Sequence, residues 1–388
     1  MSIRYLTSGE SHGITLTGIL EGMPAGLELS EEYINFQLKR RQQGYGRGGR
    51  MKIEADRAMI LSGVRFGKTL GSPISFVIEN KDWKNWKNEM SIFTTDSDVG
   101  KVTIPRPGHA DFAGTIKYRH DDIRNVLERS SARETAIRVA VGSVVRRLLE
   151  EFGIFIVSHI VQLKTIKSKF DLSTIHLKDI NIHADKSPIR CLDRKAESQM
   201  MKIIDNAMAN GDSVGGVAEI IAGEIPIGLG SHVHWDRRLD GQIAQAMMSI
   251  PAIKGVEIGA GFEAATLLGS DMHDEIFYNE EQKDNRKMGF YRKTNNAGGI
   301  EGGITNGEPI VVRIAMKPIP TLTVPLSSVD IFSKNPEKAH KERTDTCALP
   351  SAAVIAESVL VLVIANAFLE KFGGDSIDEI KTYFLKNK

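Results

Sequence analysis

The amino-acid sequence predicts a mixed fold in which helices pack on sheets, built from two related strand–helix–strand units. An apolar strand followed by proline and Gly-Leu occurs twice, as TGILEGMPAGL (17–27) and as EIIAGEIPIGL (219–229). Further along each copy, GKTLGSPI (67–74) and GITNGEPI (303–310) share the pattern G-x-T-x-G-x-P-I. Because the two regions share the order of their segments as well as the motifs, we interpret them as an internal duplication.

Hydrophobic periodicity and helix-end signals place helices between and after these strands. We predict helices over 30–43, 120–152, 190–210, 235–250 and 352–368. The segments GVRFG (63–67) and GVEIG (255–259) follow in the same order in the two units and are interpreted as equivalent. The second unit also carries an insertion over roughly 260–302.

Length and composition indicate a soluble enzyme. Of the 388 residues, 41% are hydrophobic and 26% are charged, and the formal net charge is +1. A charge this close to zero argues against a protein whose main role is to coat nucleic acid. Because no low-complexity linker divides the chain, we expect a single domain over 1–388, with pseudo-repeats at about 10–80 and 215–318.

Neither the cysteines nor the apolar segments indicate an extracellular or membrane protein. Cys191 and Cys347 are too few for a disulfide framework or a metal cluster, so we expect a reducing cytoplasm and no metal. The longest apolar run, 352–368, contains Glu357 and Asn366 and is shorter than the roughly 20 residues of a bilayer span. We interpret it as a buried helix.

Arginines surround the glycines of RRQQGYGRGGRMK (40–52), which also contains the spacing G-x-G-x-x-G. A dinucleotide-binding loop must follow a strand and open a helix, whereas here a polar helical segment precedes the glycines and the alternating MKIEAD (51–56) follows them. An RNA-binding Arg-Gly tract would be repeated in a basic chain. The loop is therefore either a solvated basic face or a site for a small polyanion, and the glycine-spaced arginine forks favour the second.

Three further segments carry groups suited to anion binding and proton transfer. RSSARETA (129–136) begins with the capping-box pair Ser131 and Glu134, and the N-terminus of its helix offers unpaired N–H groups to an anion. GESHG (9–13) and PRPGHAD (105–111) place histidines in glycine-flanked loops, where they can exchange protons near neutral pH. Plain helix capping and surface histidines are the structural alternatives.

Taken together, these segments resemble those of the chorismate synthase family and occur in the same order. The resemblance runs from about residue 4 to the C-terminal helix and rests on GESHG, RRQQGYGRGGRMKIE, RPGHADFAG, RSSARETA, GGIEGGITNGEPI, KPIPTL and RTDTCALP. It implies an α+β fold, a β-α-β sandwich with internally duplicated strand–helix–strand units and helices between antiparallel sheets. It also implies a homotetramer, and with the composition it predicts no nucleic-acid or membrane partner.

Members of this family remove phosphate and a ring hydrogen from 5-enolpyruvylshikimate-3-phosphate by anti-1,4-elimination, which gives chorismate, and they require reduced FMN. This substrate carries one phosphate and two carboxylates, so a water-poor pocket for it needs several cations. The resemblance implies substrate contacts from Ser11, Arg41, Arg47, Arg50, Arg106, Ser131 and Arg133. It implies FMN contacts from Arg129, Ser130, Ser131, Pro251, Ala252, Gly302, Lys317, Pro318, Ile319, Pro320, Thr321 and Arg343.

The resemblance also implies catalytic roles for three residues. In the family the reduced flavin lends an electron that weakens the allylic C–O bond and recovers it as hydrogen leaves, while the protein supplies protons. His12 resembles the acid that serves the departing phosphate, and His109 resembles the group that protonates or balances the anionic reduced flavin. Asp345 resembles the residue that relays a proton from the flavin ring nitrogen rather than one that binds charge.

Two positions depart from the family pattern. Pro251 stands where many members carry a polar residue, so we expect only its backbone to contact FMN, and Thr344 replaces a common serine. The chain has no large insertion of the kind expected in members that reduce their own flavin. We therefore expect a monofunctional enzyme whose FMN is reduced externally, from NADPH through a separate reductase. A flavin-dependent oxidoreductase and a non-catalytic anion- or nucleic-acid-binding protein are the alternatives.

Overall fold

Two antiparallel sheets form the frame of the structure, a computed structural model that describes residues 2–48, 55–94 and 99–386. The strands of the first half are β1 (Arg4–Ser8), β2 (Thr15–Glu21), β3 (Ala58–Ser62), β4 (Val64–Arg65), β5 (Lys68–Thr69) and β6 (Ile74–Glu79). Those of the second half are β7 (Phe155–Leu163), β8 (Ile166–Lys167), β9 (Gly216–Gly223), β10 (Ile253–Ile258), β11 (Ile276–Tyr278), β12 (Phe290–Arg292), β13 (Ile300–Glu301), β14 (Ile304–Thr305), β15 (Ile310–Met316), β16 (Ser327–Val329) and β17 (Pro336–Lys338). The predicted site residue Arg50 and most of the predicted strand at 51–56 lie outside the described residues.

The helices largely occupy the predicted segments. They are α1 (Glu31–Gln42), α2 (Asp111–Tyr118), α3 (Arg124–Leu127), α4 (Thr135–Glu150), α5 (Ile180–Ala184), α6 (Arg194–Ala209), α7 (Leu239–Met248), α8 (Gly269–Met272), α9 (Leu349–Phe372) and α10 (Ile377–Lys386). Local chemistry sets their ends: the Ser30 side chain accepts the Tyr33 N–H at the start of α1, and the Asp193 carboxylate does the same for two N–H groups of α6.

The prediction of one continuous helix over 120–152 is wrong. The chain leaves α3, turns through a 3₁₀ segment at Ala132–Glu134, and only then enters α4. Ser131 has extended backbone (ψ 144°), and its hydroxyl accepts the N–H of Arg133. The predicted capping box is also absent, because Glu134 bonds to Arg138 at 3.0 Å. The break leaves Ser131 in extended backbone ahead of α4 instead of inside a helix.

The two sheets share one strand order. The first is ordered β1-β2-β6-β3 and the second β8-β7-β9-β15-β10, which adds only β8 at one edge. All neighbours are antiparallel. Helices α1 and α4 pack on the first sheet, α7 and α9 pack on the second, and α4 lies against α9. The predicted α+β sandwich, with duplicated units and helices between antiparallel sheets, is confirmed.

The duplication extends to individual hydrogen bonds. Thr69 and Thr305 each donate from Oγ1 to a proline carbonyl, that of Pro24 or Pro226, at 2.6 Å in both halves. Each hydroxyl also accepts the N–H of the leucine three residues after that proline, at 3.0 and 2.8 Å. Both threonines are buried. The shared motifs are therefore structural turns that tie the end of one strand to the next hairpin.

The predicted equivalence of GVRFG with GVEIG is wrong. Residues 63–67 form most of the hairpin β4–β5, whose counterpart in the second half is the hairpin β13–β14. Gly63 and Gly299 take matching left-handed backbone there, with φ of 80° and 79°. GVEIG instead falls largely in β10, which occupies the sheet position of β3. The pattern Gly-Val-x-x-Gly suits both a turn and a strand. It therefore does not by itself distinguish a hairpin from a strand of the main sheet.

Helix α9 is the buried centre of the molecule, as predicted. It is long and apolar enough to cross a membrane, but most of its surface is covered by the surrounding protein. Pro350 stands in its first turn, and Gly373 follows its last residue. Its all-round apolar character fits a helix packed between α4, α7 and the second sheet.

One charged side chain interrupts the buried part of α9. Glu357 is fully buried and accepts hydrogen bonds from Arg40 at 2.9 and 3.0 Å, from Arg146 at 2.6 Å and from Arg190 at 3.3 Å. Asp185 is a second anion of this cluster, paired with Arg40 and Arg190. Burial alone would raise the pKa of Glu357, but the arginines outweigh it and lower the pKa to about 2. The cluster joins α1, α4, α9 and the 185–190 segment.

Candidate active site

A cavity of about 900 Å³ lies where α4 and α9 begin. The residues before both helices border it, so two helix N-termini, each with a partial positive charge, face the same space. Its volume is near the upper end of typical ligand pockets, about 300–1,000 Å³. The predicted site residues that line it are Ser11, His12, Arg41, Arg47, Arg106, His109, Arg129, Ser130, Ser131, Arg133, Pro251, Ala252, Lys317, Ile319, Pro320, Thr321, Arg343 and Asp345.

Two predicted cofactor contacts do not line this cavity. Gly302 is exposed in the turn between β13 and β14, where its φ of 60° suits the left-handed position of the hairpin. Pro318 is exposed beside Lys317 and Ile319, which do line the cavity. Since a hairpin turn explains the glycine, a flavin contact is not needed to account for Gly302.

A buried glutamate holds His12. Glu128 is 2% exposed and accepts the backbone N–H of His12 at 2.8 Å, while its other carboxylate oxygen lies 2.8 Å from the His12 Nδ1. Burial alone would raise the pKa of Glu128, but the hydrogen bonds from His12 and the nearby Arg124 outweigh it and lower the pKa. Glu128 is therefore an anion in contact with His12 at neutral pH.

An indole ring covers one face of the same imidazole. The ring centroids of His12 and Trp86 are 3.7 Å apart, with 23° between the planes. Arg124 lies on Trp86 in turn, with its Cζ 5.2 Å from the ring centroid, and it also donates to Glu128 at 3.1 Å. Trp86 and its neighbours Asp82, Asn85 and Glu89 line the cavity. The imidazole is thus held by a carboxylate at its edge and by an aromatic ring on its face.

His109 has a similar partner. Its Nδ1 lies 2.6 Å from a carboxylate oxygen of Asp111, which is fully buried. Arg106 binds the same carboxylate through Nε at 2.8 Å and reaches Thr321 Oγ1 at 2.9 Å. Burial alone would raise the pKa of Asp111, but His109 and Arg106 outweigh it and hold the pKa well below its ordinary range. Arg106 therefore comes to the cavity already paired with an anion.

Two further arginines of the cavity share a carboxylate. Asp56 is buried and lies 3.2 Å from Arg133 Nη1 and 3.6 Å from Arg41 Nη1. Arg41 also donates to Thr135 Oγ1 at 3.1 and 3.0 Å and to the Ala132 carbonyl at 3.0 Å. These contacts fix the arginine heads before any ligand arrives, so the charge they offer a ligand is reduced and their geometry is set.

The prediction that Asp345 would not bind charge is wrong. Its Oδ2 lies 2.9 Å from Arg47 Nε, and its Oδ1 accepts the N–H of Gly48 at 2.7 Å. The carboxylate therefore anchors the arginine–glycine loop to the segment that leads into α9. A side chain placed between a cation and a backbone donor can still exchange a proton, but it does so as part of an ion pair.

The loop that carries His12 is bound directly to the segment before α4. Ser11 donates its N–H to the Glu128 carbonyl at 3.0 Å and accepts the Ser131 hydroxyl at 3.1 Å. Arg129 donates to the carbonyls of Gly9 and Thr7 at 3.0 and 2.8 Å. Arg129, predicted as a flavin contact, thus also clamps the end of β1. The Ser130 hydroxyl donates to the Val126 carbonyl at 2.7 Å and can only accept from a ligand.

The second half contributes an irregular strand end to the cavity. The chain after β15 runs through Lys317, whose N–H donates to the Ala252 carbonyl at 3.0 Å and whose ammonium bonds to the Gly108 carbonyl. Burial and the charge of Lys254 lower the pKa of Lys317. Ala252 has left-handed backbone, with φ of 68°. This edge adds one ammonium group and several backbone groups to the cavity, and the ammonium lies next to the loop that carries His109.

Sequence reasoning missed four side chains that hold the site together: Asp56, Trp86, Asp111 and Glu128. Asp111 lies two residues after His109 in the motif PRPGHAD, so the sequence already indicated that these two residues are close together. Glu128 precedes Arg129 but acts on a residue 116 positions away, a contact that spacing alone does not reveal. Trp86 stands in a tryptophan-containing turn outside the quoted motifs.

Comparison with known proteins identifies the family of this chain. The family model described as chorismate synthase matches residues 3–369. Chorismate synthase of Geotalea daltonii is 58% identical over 380 residues, which cover 97% of this chain and 96% of that protein. Chorismate synthase of Aquifex aeolicus is 55% identical and covers 98% of this chain and 96% of that protein. A crystal structure of chorismate synthase matches at a TM-score of 0.79 and 46% identity, over 100% of this chain and 97% of that one. The chain therefore belongs to the chorismate synthase family, the carbon–oxygen lyases of the shikimate pathway.

Proposed function

We propose that the protein converts 5-enolpyruvylshikimate-3-phosphate into chorismate and phosphate in the presence of reduced FMN. In this elimination one C–O bond and one C–H bond of the ring break, and phosphate and a proton leave. The observation that carries the proposal is that two histidines, each bound to a buried carboxylate, line one cavity with several arginines. Arginines suit the phosphate and carboxylates of the substrate, and histidines suit proton transfer near neutral pH.

The residues of the cavity fit FMN beside this substrate. A volume of about 900 Å³ leaves room for a flavin and a small trianion together. The ammonium of Lys317, the Arg343 side chain and the backbone of 319–321 line the cavity and would provide donors and acceptors to the cofactor. When bound, reduced FMN would supply reversible electron donation to the allylic C–O bond with no net redox change, while the residues of the cavity orient the substrate and supply protons.

Three side chains would move or hold protons. His12 would protonate the departing phosphate, with Glu128 beside it balancing the positive charge on its imidazole. His109 would hold positive charge beside the anionic reduced flavin, with Asp111 as its partner. Asp345 would take up the proton that leaves the flavin side of the cavity, while Arg47 holds the carboxylate in place.

An anaerobic assay tests the proposed function. With chemically reduced FMN and 5-enolpyruvylshikimate-3-phosphate, we expect many turnovers of chorismate per flavin, and none with oxidised FMN. NADPH should not be consumed by the protein alone, which separates this function from a flavin-dependent oxidoreductase and from a bifunctional member of the family. Oxidation of FMN in proportion to product, or substrate binding without any chorismate, would contradict the proposal.

Arg47→Ala should weaken substrate binding. The guanidinium lines the cavity next to Asp345, so its loss removes a cation from the substrate and leaves the carboxylate, among the residues that the structure describes, with the Gly48 N–H. We expect a loss of about 2–5 kcal/mol in substrate binding, near the lower end because Asp345 already shares the charge. FMN affinity should change much less. Isothermal titration with substrate and with FMN measures both.

Arg194→Ala is the matched control for Arg47→Ala. Arg194 is largely exposed and pairs with Glu197 at the start of α6, away from the cavity. Substrate affinity should stay at the wild-type value in this variant. Equal losses of substrate and FMN affinity in Arg47→Ala, or no loss of either, would remove Arg47 from the substrate contacts.

We also propose that the protein is a cytoplasmic homotetramer whose FMN is reduced by a separate NADPH-dependent reductase. An apolar outer face on the first sheet supports self-association. Leu6 and Ile19 are cross-strand partners there and are 75% and 44% exposed, and Met59 on β3 is 39% exposed. Sedimentation equilibrium measures the assembly, and a charged substitution at Leu6 should dissociate it. A monomeric wild-type protein would contradict the proposal.

A further inference from the structure

His12 meets three constraints at once around its imidazole. Nδ1 lies 2.8 Å from Glu128 Oε1, the backbone N–H of His12 donates to Oε2 at 2.8 Å, and Trp86 stacks on the ring face. The ring can neither rotate about its Cβ–Cγ bond nor shift along the chain without losing one of these contacts. Its orientation is therefore set before any ligand binds.

The chemistry of the carboxylate decides which ring nitrogen carries the proton. An ionised carboxylate accepts hydrogen bonds and cannot donate them. Glu128 already accepts the backbone N–H of His12 and a guanidinium N–H of Arg124, and both of these are donors under all conditions. An imidazole nitrogen 2.8 Å from such an oxygen must itself carry a proton. Proton exchange between His12 and a ligand is then restricted to Nε2.

We propose that Glu128 is the positioning residue for His12: it fixes the imidazole in the Nδ1–H form, so that His12 serves the phosphate-bearing substrate through Nε2. This inference rests on the proposed function, in which His12 protonates the departing phosphate. Glu128 itself touches neither substrate nor cofactor in this account. It acts by selecting one of two tautomers and by holding the ring at one angle, as carboxylates do for functional histidines in other enzymes.

Glu128→Gln tests the proposal, because it keeps the shape and removes one acceptor. A glutamine offers one acceptor oxygen where the carboxylate offered two, while the backbone N–H and Arg124 still need acceptors. The imidazole is the one partner that can adapt, by moving its proton from Nδ1 to Nε2. We therefore expect ¹⁵N NMR of labelled imidazoles in the ligand-free protein to change from the Nδ1–H form in the wild type to the Nε2–H form in the variant.

The turnover number should fall when His12 changes from the Nδ1–H to the Nε2–H form. In Glu128→Gln we expect kcat to fall by roughly 10–100-fold, the range seen when an outer partner of a metal-bound histidine is removed. KM and FMN affinity should stay within about twofold, since the cavity cations are untouched. In a His12→Ala background the same substitution should have no additional effect on kcat. A further loss there would show that Glu128 acts on something other than His12.

Glu219→Gln provides a matched control. Glu219 lies 3.0 Å from Nε2 of the buried His159, so this variant removes a second His–Glu contact, on the sheet and away from the cavity. It should lower stability without changing kcat. If Glu128→Gln does not fold, Glu128→Asp replaces it: the shorter carboxylate cannot reach both the N–H and the ring, so mixed tautomers are expected.

The outcomes separate the two hypotheses. An Nε2–H signal in the wild type, or an unchanged Nδ1–H signal in Glu128→Gln, overturns the positioning role whatever the enzyme produces. A changed tautomer with wild-type kcat overturns it as well. A tautomer that changes as expected in a protein that forms no chorismate supports the geometry, and it is the proposed function that fails.

Discussion

His12→Ala should slow chorismate formation by about 10²–10⁴-fold, the usual contribution of a general acid. The imidazole lines the cavity, contacts the anionic Glu128 and is the predicted proton donor to the departing phosphate. Alanine cannot replace that proton, and phosphate then has to leave as a more highly charged anion. Single-turnover kinetics with reduced FMN under anaerobic conditions measure the effect on the chemical step.

His234→Ala is the control for this prediction. His234 is exposed and pairs with Asp236, away from the cavity, so its removal should leave the rate unchanged. FMN affinity and the melting temperature of His12→Ala are needed as well, because Trp86 loses its stacking partner in this variant. Near-normal turnover of a well-folded His12→Ala protein would return His12 to a structural role.

Glu357→Ala should destabilise the fold by about 3–5 kcal/mol, the cost of removing one partner from a buried ion pair. Three buried arginines meet this carboxylate, and without it Asp185 is the remaining anion among them. The variant also leaves a cavity at the centre of α9. Urea unfolding followed by circular dichroism gives the difference in free energy of unfolding.

Glu370→Ala on the same helix is the matched control. Glu370 pairs with Arg237 at the surface, where both side chains are more than half exposed, so its loss should cost at most about 1 kcal/mol. The pH dependence gives a second check. Because the folded-state pKa of Glu357 is lowered to about 2, its stabilisation is complete above its ordinary value of 4.5 and is lost as the pH falls toward 2. A wild-type stability curve that is flat over this range would contradict the assignment.

Much of the fold could be predicted because the two copies repeat residues that turns require. The Pro-x-Gly-Leu and Thr-x-Gly-x-Pro-Ile motifs each form hydrogen bonds that depend on those residue types. The turns can therefore be recognised from the sequence. The GVRFG segment was assigned wrongly because glycine and valine suit a hairpin and a strand equally. The break at Ser131 was missed because helix propensity continues on both sides of it.

Most residues that line the cavity could be predicted from the sequence. The ion pairs among them could be predicted less well. The motifs named above contain nearly all of the cavity's predicted side chains, since binding and catalytic residues are concentrated on loops. The pairing depends on contacts between distant segments. Nothing in the order of residues shows that Asp56 lies between Arg41 and Arg133, or that Asp345 holds Arg47.

The equivalence of the two halves has an evolutionary consequence. A protein of half this length, pairing with a second copy of itself about a twofold axis, would reproduce both sheets, the helical layer and a shared pocket at the starts of two identical helices. Such a pocket would have presented identical groups to both sides of its ligand. The two halves of this chain diverge at the cavity: His12 and His109 come from the first half of the chain and Lys317 from the second. An asymmetric molecule, with a phosphate at one position and an enolpyruvyl group at another, can be bound in a single orientation only after that divergence.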